Sequence, residues 1–578
     1  MVEPVQPAEP VSRTGPLPPA EPLPVADEHT QRVLEFPRLR ERLCAHATSV
    51  PGRERSGRLE PVADPVEVRR RLVETSEARA LLREHPGLLE GFHDPGPAVE
   101  LACRGGVLSP QQLLEVAATL AAARRARSAL EASRARAPGL AALAGSLLLA
   151  PSLEQAIARC VGPDGEVRDE ASPRLASLRS RIRALQVTIR ERMDAFVRSP
   201  EAARWLQDPI VTLRAGRFVV PVRREFRGEL PGLVHHRSAS GATLFVEPMF
   251  AVELNNQLQR LQAEEAEEVE RVLRELSRQV EAAGPALRTT VELLTRLDCA
   301  LARARLAEEL DATCPELNEE GRVRFPGARH PLLQLEGRTV VPVDLELGER
   351  FLALVITGPN TGGKTVALKT LGLLSLMAQA GLHVPAREPA EAAVFQGIFA
   401  DIGDEQSIEQ NLSTFSGHMR HMVRFLERAG PRSLVLLDEP GAGTDPEEGA
   451  ALAAAILEEL VERGCRVVAT THSTRLKAFA HAHPLCANAS VAFDEATLSP
   501  LYRLELGVPG RSLAFGVAER LGLPRPVLER ARSHLAPAER RLEDLIRELE
   551  QARAALDRER AAVAEARREL QRRAEAYQ

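Results

Sequence analysis

The segment Ile356-Thr-Gly-Pro-Asn-Thr-Gly-Gly-Lys-Thr365 constrains this chain more than any other. It sets Gly358, four residues, then Gly363-Lys364-Thr365 between the apolar run 352–357 and a stretch with helical periodicity. Glycines at these positions let the backbone turn tightly and point several N–H groups at one spot, and the N-terminus of the following helix adds its own. Such a loop receives phosphate. Gly358, Pro359, Asn360, Thr361, Gly362, Gly363, Lys364 and Thr365 are therefore expected to line a nucleoside triphosphate site. Lys364 would reach the β- and γ-phosphates and the Thr365 hydroxyl would bind Mg²⁺. The junction belongs in a parallel α/β sheet, and residues 325–530 read that way: the runs 352–357, 433–437 and 466–470 alternate with helical stretches.

Two of these runs end in groups that suit phosphate chemistry. The second closes on Asp438-Glu439. Asp438 is expected to hold Mg²⁺, and Glu439 to orient or deprotonate an attacking water. The third closes on Thr-Thr-His472-Ser, which makes His472 a candidate γ-phosphate sensor. Gly443-Thr-Asp-Pro446 reads as a loop reaching toward a second subunit, and Ser413 as either a helix N-cap or a group that meets the opposing subunit's γ-phosphate. Composition supports the importance of Lys364: only three lysines occur against a large excess of arginine, and one stands in the glycine-rich loop. A compact ammonium fits between phosphates where a planar guanidinium does not.

The rest of the chain is largely helical. Residues 1–28 are rich in Pro, Glu and Ala and read as a disordered tail; 29–172 as a helical core. Residues 173–285 read as two long helices, out and back, around a small β tip at 206–246 with strands at 210–213, 217–220 and 243–246. The returning helix is expected to run from Pro248 to about Ala283, and 286–324 to lead back to the core. From 531 to 578, Leu542, Leu549, Leu556, Val563 and Leu570 recur every seventh residue, a coiled-coil pattern. The fold class expected is thus an α/β nucleotide-binding domain joined to a helical lever with a small β clamp and a C-terminal coiled coil. A net charge of −6 excludes bulk attraction to nucleic acid, and 3% aromatics argues against a base-stacking surface. The seven cysteines are scattered without metal or redox spacing, and no apolar run approaches the ~20 residues of a membrane span. A cytoplasmic location with no membrane partner is expected.

Taken in order, the glycine-rich loop, Leu412-Ser-Thr-Phe415, Leu436-Leu-Asp-Glu-Pro440, Gly443-Thr-Asp-Pro446 and Thr470-Thr-His472 resemble the MutS family of ABC-class ATPases. Asp401-Ile-Gly-Asp-Glu-Gln406, Gly507-Val-Pro-Gly-Arg-Ser512, Ser238-Ala-Ser-Gly-Ala-Thr-Leu-Phe245 and Ala328-Arg-His-Pro331 are similar to its second bacterial branch, over roughly residues 30 to 578. The resemblance implies ATP and Mg²⁺ as cofactors and a homodimer with the loop of one subunit facing Ser413 of the other. It also implies levers that close a clamp on nucleic acid, with Arg214, Arg217, Arg223, Arg224 and Arg227 as backbone contacts. Three departures qualify it. No separate mismatch-reading domain precedes the helices, so mismatch recognition is not expected. The sequence stops at Gln578 before the family's Smr nuclease domain, so nuclease activity is not expected of it. Val340 or Val341 stands where the family has an adenine-stacking aromatic.

The leading expectation is an ATP-hydrolysing clamp acting on branched DNA, to suppress recombination, or on stalled and collided ribosomes, to rescue them. The alternative is a nucleotide-gated scaffold with little turnover that works through its coiled coil, against which Glu439 argues. A transporter-type ATPase is disfavoured because Leu412-Ser-Thr-Phe415 replaces the usual Leu-Ser-Gly-Gly-Gln signature.

Overall fold

A computed structural model describes residues 24–533 except 240, 359–361, 404–413, 495–498, 508–517 and 519–521; beyond 533 it describes only 559 and 563. The N-terminal tail as far as residue 23 and, apart from Val563, the heptad repeat lie outside the described residues. The chain divides into two compact units. One comprises Ala47–Arg55 and Ala80–Cys299; the other comprises Met1–His46, Ser56–Arg79 and Ala300–Gln578.

The first unit is built from helices whose apolar faces interlock. The helix Pro110–Ala132 opens on a reciprocal cap, the Ser109 hydroxyl accepting from the Gln112 N–H while the Gln112 side chain accepts from the Ser109 N–H. Its Leu113, Val116 and Leu120 pack with Leu153 and Ile157 of the helix Pro151–Cys160 and with Val272, Leu276 and Val280. The last three belong to Met249–Glu309, a helix of 61 residues that continues through Pro285. The sequence reading ends this helix near Ala283, because an internal proline removes a backbone donor and crowds the preceding turn. The structure carries it on to Glu309. Val280, Leu287, Leu294 and Leu301 recur every seventh residue and are fully buried, so one apolar stripe spans the proline and outweighs its local cost.

A four-stranded antiparallel sheet belongs to the same unit, in the order β1 (Thr212–Arg214), β2 (Arg217–Arg223), β4 (Thr243–Pro248), β3 (Gly232–Arg237). β1 and β2 meet in a two-residue turn, Ala215 and Gly216, both at positive φ, which matches strand twist. Val220, Val222, Leu244 and Val246 face a core shared with Ile189, Met193 and Val197 of the helix Pro173–Val197 and with Trp205. β3 is an edge strand whose residues are nearly all exposed, so it carries no alternation for a sequence reading to find.

One buried carboxylate ties this sheet together. Glu247 on β4 is wholly buried and accepts from Arg217 at 2.9 Å, His235 at 2.5 Å and Asn255 at 2.7 Å. Asn255 also brackets both backbone groups of Phe218 on β2, and Arg217 continues to Asn256 at 2.8 Å. Removing one partner from a buried charge costs more than the pair contributes, because the charge left behind is uncompensated. Arg217→Ala is therefore expected to destabilise this unit by ~3 kcal/mol, while the exposed Arg224→Ala leaves it unchanged within ~0.5 kcal/mol. The single tryptophan, Trp205, packs against this core, so its fluorescence during urea unfolding reads out this unit selectively.

The second unit holds two sheets. The smaller has the order β5 (Glu316–Asn318), β9 (Glu391–Ala393), β6 (Val323–Ala328), β7 (Val343–Leu347). The larger has six strands: β10 (Gly397–Asp401), β11 (Ser433–Asp438), β12 (Arg466–Thr471), β8 (Ala353–Thr357), β13 (Cys486–Asp494) and β14 (Ser499–Leu506). All neighbours are parallel except β13 and β14. β8 and β10 are buried at every position and β11 and β12 at all but one, as expected of parallel strands covered on both faces. The register pairs Asp401 with Leu437, Asp438 with Thr470, and Thr471 with Thr357. The carboxyl ends of four strands therefore lie along one edge. Among the described residues no single helix is long and apolar enough to cross a membrane.

Candidate functional site

That edge gathers residues remote in sequence. β8 delivers Gly358, whose φ of 134° is open to glycine, and Gly363 at φ 90° leads into the helix Lys364–Gln379. Lys364 is 2% exposed. Its ammonium donates to the Gly358 carbonyl at 2.8 Å and lies 3.5 Å from the Glu439 carboxylate. One residue on, the Thr365 hydroxyl donates to Asp438 at 2.9 Å. The donors here are a hydroxyl and a carboxylate, an all-oxygen set that fits Mg²⁺, with water and phosphate completing its shell.

Glu439 follows β11 with φ at 48°, a left-handed conformation that is rare and strained outside glycine. Two hydrogen bonds hold it there: its N–H donates to the Thr470 hydroxyl at 3.0 Å and to the Thr470 carbonyl at 3.2 Å. The Thr470 hydroxyl in turn donates to Asp438. Thr470 thus fixes both acidic residues at once, a role that sequence reasoning missed. The available signal was its place at the end of β12, since parallel pairing sets it opposite Asp438. Next to it, Gly441 is irreplaceable on steric grounds. It has φ 84°, and a Cβ there would sit 2.2 Å from the Gly449 carbonyl oxygen.

His472 Nδ1 lies 3.4 Å from Glu439. Its hydrogen bond is the main influence holding the Glu439 carboxyl below its usual range, with Lys364 adding to it against the effect of burial. In return, Glu439 raises His472. Glu439 is depressed, so its contribution is lost as pH falls through its lowered pKa. His472 is raised, so its contribution is lost as pH rises through its raised pKa. The contact is complete between the two residues' ordinary pKa values.

Two cavities flank these groups. One of about 350 Å³ adjoins Gly362 and Gly363 and is lined by Val340, Val341, Val366, His330, Arg338 and Arg503. Its wall is aliphatic where Val340 and Val341 stand. Burial pushes His330 down to about 4, so this imidazole is neutral, and its Nδ1 has no hydrogen-bond partner among the described residues. The second cavity, about 650 Å³, is lined by Glu439 and His472 and by Gly443, Thr444 and Pro446.

The structure thus brings together Gly358, Gly362, Gly363, Lys364, Thr365, Asp438, Glu439 and His472. Pro359, Asn360, Thr361 and Ser413 lie outside the described residues. The five arginines are in the other unit. Arg214, Arg224 and Arg227 are exposed, Arg214 lying 4.6 Å from the centroid of the Phe245 ring, and Arg223 is half-buried. Arg217 is committed to Glu247 and Asn256 inside the sheet.

Replacing His472 by Ala should let the Glu439 carboxyl titrate at higher pH, toward the ordinary carboxylate range, as followed by ¹³C NMR of labelled glutamate. An unmoved titration would assign the depression to Lys364 instead.

Comparison with known proteins bears on the same region. Residues 354–539 match MutS domain V, a span that contains Gly358, Lys364, Asp438, Glu439 and His472. "Endonuclease MutS2" of Symbiobacterium thermophilum is 51% identical over 534 residues, covering 92% of this chain and 67% of that protein. The protein of the same name from Pelotomaculum thermopropionicum is 49% identical, covering 93% of this chain and 68% of its own length. That from Geobacillus sp. is 46% identical, covering 91% and 68%. At this level of identity, over nearly all of its length and about two thirds of each relative's, the chain belongs to the MutS2 family.

Proposed function

We propose that this protein is an ATPase that uses nucleotide turnover to control a clamp on nucleic acid. The observation that carries the reading is the convergence of Lys364, Thr365, Asp438, Glu439 and His472 at the carboxyl edge of one parallel sheet, where open α/β sheets bind their ligands. In this reading Lys364 leaves the Gly358 carbonyl for phosphate oxygens. Thr365 and Asp438 hold Mg²⁺, whose charge offsets that of the phosphates. Glu439 stays ionised between Lys364 and His472 and orients water for attack on the terminal phosphate. His472 senses that phosphate. The aliphatic cavity beside Gly362 takes the base, through shape more than stacking.

A homodimer is part of the proposal. The cavity beside Glu439, bordered by the Gly443–Pro446 turn, supplies room for a group from a second subunit, and Ser413 is the residue proposed to enter it. Closure of the two sites would then reset the sheet-bearing unit, whose exposed Arg214, Arg224 and Arg227, with Arg223, are proposed to meet phosphate backbones. The relatives' name, endonuclease, points to nucleic acid as what they act on, which supports the same ligand class here. Branched DNA and stalled or collided ribosomes are the two substrates considered, in a cytoplasmic setting.

Steady-state hydrolysis by the full chain tests the reading. Lys364→Ala is expected to abolish nucleotide binding. Glu439→Gln should retain binding and lower turnover by ~10²-fold or more, the usual contribution of a positioned base. Addition of four-way junction DNA or of collided ribosomes should raise the wild-type rate in one case. Turnover unaltered by Glu439→Gln would replace this reading with a nucleotide-gated scaffold.

A further inference from the structure

A second polar cluster sits at the carboxyl end of β10. Asp401 is 3% exposed. Its two carboxylate oxygens accept from different histidines of the helix Thr414–Arg428: Oδ2 from His418 Nδ1 at 2.7 Å and Oδ1 from His421 Nδ1 at 2.9 Å. These residues are three apart, so both rings project from one helix face. A third imidazole comes from the N-terminal region. His29, on the short helix Glu28–Val33, lies with its ring centroid 4.0 Å from that of His421.

His29 is fixed in this place. The Ile398 N–H on β10 donates to the Val25 carbonyl at 2.7 Å, and the Ala400 N–H donates to the Thr30 hydroxyl at 3.3 Å. Asp27 caps the helix by accepting from the Thr30 N–H at 2.8 Å. His29 is thereby delivered against β10 with its Nε2 buried and without a hydrogen-bond partner among the described residues. Its Nδ1 accepts from the Arg32 guanidinium at 3.3 Å. A buried ring nitrogen left unsatisfied beside a buried carboxylate is an unfavourable arrangement unless something binds there.

We propose that His29, Asp401 and His421 form a binding site for one divalent transition-metal ion of the zinc class. One donor atom from each lies within 4.8 Å of the others, and closing to separations of ~3.4 Å gives the ~2.0–2.2 Å bonds of a tetrahedral ion. Two imidazole nitrogens and one carboxylate oxygen suit zinc, cobalt or nickel and are too rich in nitrogen for magnesium or calcium. The ion replaces the proton shared by His421 and Asp401; ligation through His29 Nε2 moves that ring's proton to Nδ1 and displaces the exposed Arg32 guanidinium from it. His418, on the second carboxylate oxygen, orients Asp401 from outside the coordination sphere. Burial and the neighbouring His421 lower His29, which keeps it neutral and able to ligate. Burial by itself would raise Asp401, but the hydrogen bonds from His418 and His421 more than offset it and keep the carboxyl ionised. The site joins three separate stretches of chain: the N-terminal helix, the edge strand β10 and the helix that begins at Thr414, the residue after Ser413. It does not rest on the ATPase reading, because its ligands are none of the residues assigned to nucleotide and its test is read without nucleotide.

Metal binding to the nucleotide-free full chain, stripped with chelator and titrated with Zn²⁺ and then Co²⁺, tests the proposal. One equivalent is expected. His29→Gln and His421→Gln should each abolish it, and His418→Gln should weaken it by ~10–100-fold, as removal of an orienting partner does. The cobalt form should show the intense visible bands of a four-coordinate ion without sulfur charge-transfer absorption, which separates the site from the seven cysteines. Should a variant fail to fold, as judged by circular dichroism, the wild-type cobalt spectrum decides. Absence of saturable binding, a thiolate charge-transfer band, or full binding in both His29→Gln and His421→Gln would overturn the proposal and leave a hydrogen-bonded cluster.

Discussion

The parallel register of the six-stranded sheet is the constraint on which the nucleotide edge depends. Asp438 is opposite Thr470, and Thr357 is opposite Thr471, because β11, β12 and β8 pair without offset at their carboxyl ends. Strands buried on both faces have no polar face to tolerate a slip, and a one-residue shift would turn every side chain to the opposite layer. Asp438 would leave Thr365, and Glu439 would lose the Thr470 hydroxyl that holds its strained backbone. The sheet is therefore more than a support: its pairing sets the distances among groups drawn from separate strands and as far apart in the chain as Thr365 and Asp438.

Charge is arranged along this edge so that each ionised group has a partner. Lys364 is nearly inaccessible, a position rare for lysine, and sits between a loop carbonyl and Glu439. Glu439 spans the gap between Lys364 and the more exposed His472. Strain at Glu439 and the tight contact of Gly441 with Gly449 both lie in the same short turn. Backbone strain of this kind persists only where surrounding structure over-determines it, which the two Thr470 hydrogen bonds and the buried strand do here.

The other unit uses the same device, a buried acid with several donors, for a different end. Glu247 joins β2, β3 and the start of the helix Met249–Glu309 through Arg217, His235 and Asn255. Arg217 of the basic set is thereby tied, half-buried, to this carboxylate, and Arg214, Arg223, Arg224 and Arg227 carry the surface charge that the others present.

Much of this could be read from the chain itself. The glycine spacing before Lys364, the acidic pair after an apolar run and the histidine after the next run each announce their chemistry locally, because phosphate binding needs a fixed order of residue types across one turn. The strands at 217–220 and 243–246 were legible from their β-branched runs, and the structure extends them to Arg223 and Pro248. β3 was not, since an exposed edge strand imposes no pattern. The passage of a helix through Pro285 was not, since local propensity says stop and only the continuous buried stripe says go on. The sequence by itself determined which residue types are offered for phosphate, Mg²⁺ and water, because that offer is made by residue types in a local order. Only the tertiary structure decided that Thr470 fastens the acidic pair, that Arg217 pairs with Glu247 and that His29 meets Asp401 and His421, because each depends on strand register or on packing between distant segments, which no local pattern encodes.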